Sequence, residues 1–274
     1  MPQDSGINST PVVTQIAPSG EAQNVLESTL TGKSEGANMA ENITLSAHEL
    51  RTILTVMRNY LWVSQYQKEE PIGPKVGRNL HIVTYALEHL IGLVENTLLV
   101  ARIEKGSVML MQQEADLVEI TNTIIAKYSE KAISAGISLV FDTSIVKAPV
   151  LVDRAKCVDA ISYIVDNALK FTPRQGRITF KVLQSEDELR HELTIEDTGP
   201  GIPKHLQKNL FAKYGKIDES YVGLPGGRTG AGLGLFIAAK LMQMQSGDIS
   251  IQSDAGAGTK CVVSLPISGI QPHA

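Results

Sequence analysis

The residues best suited to chemistry lie on one stripe. Tyr163, Asn167, Lys170 and Phe171 are spaced i, i+4, i+7 and i+8, which puts them on one helical face beside an apolar face of Val158, Ile161, Ile164 and Ala168. An amide oxygen, an ammonium and an aromatic ring together suit a metal-bound nucleotide. Asn167 can offer a hard oxygen to Mg²⁺, Lys170 can meet phosphate, and Phe171 can pack on a base. Alone, such a stripe is more often simply a solvated helix face.

Two glycine-bearing segments sharpen this. IEDTGPGIP (195–203) reads as a strand end with Asp197 followed by Gly199 and Gly201. A carboxylate there can accept a hydrogen bond from the amino group of adenine, and glycines let backbone approach closely. In GGRTGAGLGLF (226–236), Gly230, Gly232 and Gly234 alternate just ahead of a helical pattern, where free backbone N–H groups can cradle phosphate. The spacing is neither GxGxxG nor a GK[ST] loop. The polar, glycine-bearing stretch 210–229 between the two segments has the composition of a lid.

Far upstream, LSAHELRTIL (45–54) places His48, Arg51 and Thr52 on one helical face. A neutral imidazole has a free ring nitrogen near neutral pH. If a triphosphate is held elsewhere in the chain, His48 is a nucleophile for its γ-phosphoryl group, and Glu49 can take the ring proton. His81 and His89 lie eight apart on a helix, too far for an i, i+4 metal pair, and His191, His205 and His273 have no partner spacing. Trp62 is expected to pack between helices.

These groups need elements to position them. Residues 1–40 are rich in Ser, Thr, Gly, Asn and Pro and read as disorder or linker. A helical pattern runs from Asn42 to Gln67, KEEPIGPKVG (68–77) reads as a turn, and a second helix carries Leu80, Leu87, Val94 and Ala101 at heptad spacing with Val83 and Leu90 between. One hairpin cannot bury that seam, so a homodimer forming a four-helix bundle is expected. From Ala115 onward, helices at 117–135, 154–171 and 235–245 mix with strands in ISLVFDT, VLVD, ITFKVL, HELTIED, DISIQS and KCVVSLP, the last two joined by DAGAG. That pattern predicts an α/β sandwich and not a repeating βαβ domain. The fold class expected for the whole chain is α+β.

Composition limits the partners. The 274-residue chain has 25 Lys+Arg against 29 Asp+Glu, a net charge of −4, so nothing general attracts it to nucleic acid or anionic membrane. Its two cysteines have no CxxC spacing, and no apolar run approaches the roughly 20 residues of a membrane span. A cytoplasmic setting is expected, either for the whole protein or for the cytoplasmic part of a longer sensor.

VDNALKFTP, EDTGPGIP, LFAKYG and TGAGLGLFIAAKLM resemble, in order and spacing, the N, G1, F and G2 boxes of sensor histidine kinases. HELRTIL resembles the H box, and LLVARIEKGSVML the end of the second dimerisation helix. The resemblance covers roughly 43–267. It implies a dimerisation and phosphotransfer domain (41–112) followed by a Bergerat-type ATP-binding domain (113–270), with ATP as phosphoryl donor and Mg²⁺ as cofactor. Asn167 would then ligate the metal, Lys170 meet phosphate and Asp197 read adenine, with Gly199, Gly201, Gly230, Gly232 and Gly234 shaping pocket and lid. It further implies a response-regulator partner whose aspartate takes the phosphoryl group from His48. Thr52, four residues on, would orient water to dephosphorylate that regulator.

Two positions depart from the family pattern. Ile53 stands where proline is usual, which predicts a stiffer helix. Tyr163 stands where asparagine is common, which predicts one lost contact to the metal–phosphate group and a slower reaction. The alternative to an active kinase is a degenerate one acting as a nucleotide-binding dimeric adaptor. Chaperone and mismatch-repair ATPases of the same fold lack a histidine-bearing helical hairpin.

Overall fold

A computed structural model describes residues 54–55, 57–59, 61–62, 74–215 and 232–269. The first few are helical, in keeping with the helix expected over 42–67. Trp62, expected to pack between helices, is 58% exposed.

Helix α1 spans Pro74–Glu104. It begins inside the stretch expected to turn, because proline is tolerated at a first helical position, where its missing N–H would have no partner anyway. The helix stops at Gly106, whose backbone takes φ 63 while Gly106 and Ser107 donate back to Ile103 and Arg102. Strand β1 (Gln113–Asp116), not foreseen from sequence, pairs antiparallel with β3 (Pro149–Val152). Between them lie α2 (Leu117–Ala135) and β2 (Ser138–Phe141).

Then come α3 (Arg154–Phe171), β4 (Arg177–Gln184), β5 (Arg190–Asp197), the short α4 (Lys204–Gln207), α5 (Gly234–Gln243), β6 (Asp248–Ser253) and β7 (Thr259–Pro266). The main sheet runs β2-β4-β5-β7-β6. Only β2 and β4 are parallel, and the crossover joining them contains α3. The other neighbours are antiparallel, so the sheet is mixed and not doubly wound.

Helices α2, α3 and α5 cover one face of this sheet. Ile178, Phe180 and Val182 alternate inward along β4 and meet Ile161 and Val165 of α3 and Ile237 and Leu241 of α5, all fully buried. Cys157 and Cys261 are free and buried, and burial pushes both thiols up to about 12, so they behave as core residues. The C-terminal end of α1 joins this core through Val100, with Leu99 and Ile103 packed alongside. Among the described residues no helix is long and apolar enough to cross a membrane.

Candidate nucleotide-binding site

Helix α3 is the spine of the site, and its start is fixed locally and from afar. Asp153 caps it by accepting from Lys156 N–H at 3.1 Å, and its other oxygen accepts from Met111 N–H at 3.0 Å. The backbone N–H of Asp153 donates to the buried Gln245 side chain at 2.8 Å, which ties the cap to the end of α5. At the far end Thr172 caps with its N–H to Ala168.

Along the exposed side of α3, Asn167 is half-buried and its amide makes no hydrogen bond to the described residues. Its oxygen is therefore available to a ligand. Lys170 lies with its Nζ 4.9 Å from the Phe171 ring centroid. These three predicted residues do share a stripe. Tyr163, one turn earlier, is drawn off to α1, where its hydroxyl donates to Asn96 Oδ1 at 2.5 Å.

Asp197 ends β5 at only 8% exposure. Its Oδ1 accepts from Gly199 N–H at 2.8 Å and Thr259 N–H at 3.3 Å, which leaves Oδ2 outside both bonds. Burial raises its pKa, partly offset by those two N–H donors. A buried carboxylate oriented through one oxygen, with the other unused, suits a ligand amino group.

The glycines around it are required by close approach. A Cβ on Gly199 would lie 2.7 Å from Asp197 Oδ1 and 3.1 Å from the Phe171 carbonyl. Gly201 has φ +69, and a Cβ there would strike the Asp254 carbonyl. Gly232 (φ +69) approaches the Gly215 carbonyl, and a Cβ on Gly234 would stand 3.1 Å from the Tyr163 ring. The loop after β5 and the start of α5 thus both close on α3, with glycine at each contact.

His48, Glu49, Arg51, Thr52, Ile53 and Gly230 lie outside the described residues, as do 216–229 of the expected lid. Sequence reasoning missed Thr259 and Gly258, which hold Asp197 from β7 and the turn before it. The GAGT run (256–259) was visible as a turn, but nothing local tied it to a carboxylate on another strand. No group of three or more His, Cys, Asp or Glu able to hold a metal occurs among the described residues. An ion here would rest on Asn167 and on ligand oxygens.

Comparison with known proteins fits this geometry. Residues 152–269 match the family described as histidine kinase-, DNA gyrase B- and HSP90-like ATPases. The sensor histidine kinase WalK of Bacillus subtilis is 29% identical over 222 residues, covering 80% of this chain and 35% of WalK. The circadian input-output histidine kinase CikA of Thermosynechococcus vestitus is 30% identical over 244 residues, covering 85% of this chain and 32% of CikA. Residues 152–269 belong to that ATPase family, and most of the chain is similar to sensor histidine kinases. The chain spans about a third of the length of those curated relatives. Its fold is shared with full-length ShkA, solved in complex with AMPPNP (TM-score 0.67, 22% identity, 84% of this chain and 46% of that one). It is shared also with ThkA, solved in complex with the response regulator TrrA (TM-score 0.55, 18% identity, 90% and 65%). In this chain, then, the walls of an ATPase-type site are built by α3, the loop after β5 and the start of α5.

Proposed function

We propose that this chain is a histidine kinase core that phosphorylates His48 from Mg-ATP and passes the phosphoryl group to an aspartate of a response regulator. The observation that carries it is the convergence on α3 of an uncommitted Asn167 amide, a buried Asp197 with one unused oxygen, and glycine-lined backbone, in a chain that also contains HELRT. Asp197 Oδ2 accepts from the adenine amino group, and Lys170 and the N–H groups at the start of α5 meet phosphate. Magnesium, when bound, neutralises phosphate charge and would be held by Asn167, phosphate oxygens and water.

The residues of the chain do the rest. A ring nitrogen of His48 attacks the γ-phosphorus as the bond to the β–γ bridging oxygen breaks, ADP departs, and Glu49 takes the ring proton. Thr52 orients water for dephosphorylating the regulator. The domains are a helical dimerisation and phosphotransfer unit (41–112) and an ATP-binding unit (113–270), working as a homodimer in the cytoplasm. The named complex of ThkA with TrrA supports a receiver-domain partner for this relative too.

The test is incubation with γ-labelled ATP and Mg²⁺. An acid-labile, alkali-stable label is expected in the wild type and none in His48→Ala; label surviving in that variant would overturn the site. Asn167→Ala should lose both labelling and Mg²⁺-dependent nucleotide binding. Thr52→Ala should label normally but dephosphorylate a regulator more slowly, and equal rates would remove that role.

A further inference from the structure

Tyr163 departs from the family pattern, and its environment shows where its side chain is engaged. Its hydroxyl donates to Asn96 Oδ1 on α1 at 2.5 Å, and its ring packs on the start of α5, 3.1 Å from where a Cβ on Gly234 would be. Burial, with Asp159, Glu95 and Asp166 nearby, pushes the phenol up to about 12, so it remains a donor at neutral pH. Eight residues further along α1, Glu104 pairs with Lys213 at 2.9 Å. Between these two ties, Val100 is buried in the core of the ATP-binding module.

We propose that Tyr163 is a positioning residue that latches the phosphate end of the nucleotide site to α1 and so restrains phosphoryl transfer. The proposal rests on the kinase reading above. With the latch closed, α1 is tied to α3 at Tyr163, one turn before Asn167. An imidazole carried by another segment must displace it to reach a phosphate held there. The contact is built to open. A cleft of about 470 Å³ remains between α1, α2 and α3, lined by Asn96, Leu98, Leu99, Arg102, Tyr128 and Tyr163, so this end of the interface is not closely packed. The connection from α1 to β1 is a short non-helical segment with Gly106 at φ +63, which allows the module to pivot once released.

Tyr163→Phe keeps the ring against Gly234 and removes only the hydroxyl. Loss of one such hydrogen bond should raise the rate of His48 labelling about fivefold at saturating ATP, with the nucleotide dissociation constant unchanged. Asn96→Ala should do the same, and the double variant should add nothing further. Asn96→Asp keeps an acceptor and should retain the slow wild-type rate. A Tyr163→Phe rate that is unchanged or slower, or an altered nucleotide affinity, would overturn the latch. Amide exchange over α1 residues 96–104, which needs no catalysis, should be about fivefold faster in both single variants. Equal exchange would also overturn it. Absent label in the wild type with faster exchange in the variants would condemn the kinase reading and keep the latch.

Discussion

Helices α1 and α3 are both amphipathic, yet their apolar faces end up in different surroundings. Cys157, Ile161 and Val165 of α3 are fully buried by the sheet beneath and by its neighbours. On α1, Ile82 is 65% exposed, Tyr85 68% and Val83 50%, and deep burial is confined to Leu87, Leu98 and Val100. The ATP-binding module completes its own core. The helix docks on that module near its end through Val100, is otherwise deeply buried only at Leu87 and Leu98, and leaves much of its apolar surface for another chain segment. A hydrophobic stripe states that a partner is needed; whether the partner lies in the same module depends on where the chain goes next.

The largest effect should come from cutting the closed core. Phe180→Ala removes a fully buried ring from the centre of the sheet and should lower unfolding free energy by about 3–5 kcal/mol, read by urea titration. A loss below about 1 kcal/mol would mean that the module's core does not depend on this sheet-to-helix packing. The open face should respond differently. Val83→Asp, at 50% exposure, should convert the proposed dimer to monomer in sedimentation while leaving the thermal midpoint of the ATP-binding module unchanged. A persistent dimer would show that the exposed stripe is not the pairing surface.

The smallest effect concerns a buried group of the module. His191 is 6% exposed, its Nδ1 has no hydrogen-bond partner, and burial holds its pKa below the usual value against the pull of Asp116. A depressed imidazole pKa means the unfolded chain takes up its proton first. Its contribution to stability is therefore complete above the ordinary histidine value near about 6.5 and falls as pH drops from there toward the lower folded value. His191→Gln should flatten the melting temperature between pH 7.5 and pH 5 relative to wild type, and an equal slope would mean that His191 does not carry that loss.

Much of the module could be read in advance because its punctuation is local. Helix α2 starts where Asp116 accepts from Val118 N–H and ends where Gly136 turns left-handed, and both signals sit within a few residues of the boundaries they set. The β6–β7 hairpin follows from DAGAG, with Gly256 and Gly258 at φ +83 and +82. Strand β1 was not readable: four residues that pair with β3 some thirty-six positions later carry no periodicity of their own. The beginning of α1 was misplaced because prolines in 68–77 read as breakers, whereas Pro74 opens the helix.

For the site, residue types and their order along the chain singled out Asn167, Lys170, Phe171, Asp197 and the flanking glycines as candidates, because ligand chemistry restricts which side chains can serve and helical spacing says which can act together. Which oxygen of Asp197 is left for a ligand, that Thr259 joins Gly199 in orienting it, and that Tyr163 reaches across to Asn96 were decided only by the tertiary structure. Those contacts join residues 62 and 67 positions apart. Nothing in a local pattern encodes such a pair; only packing strands and helices into one core brings its members within hydrogen-bonding distance.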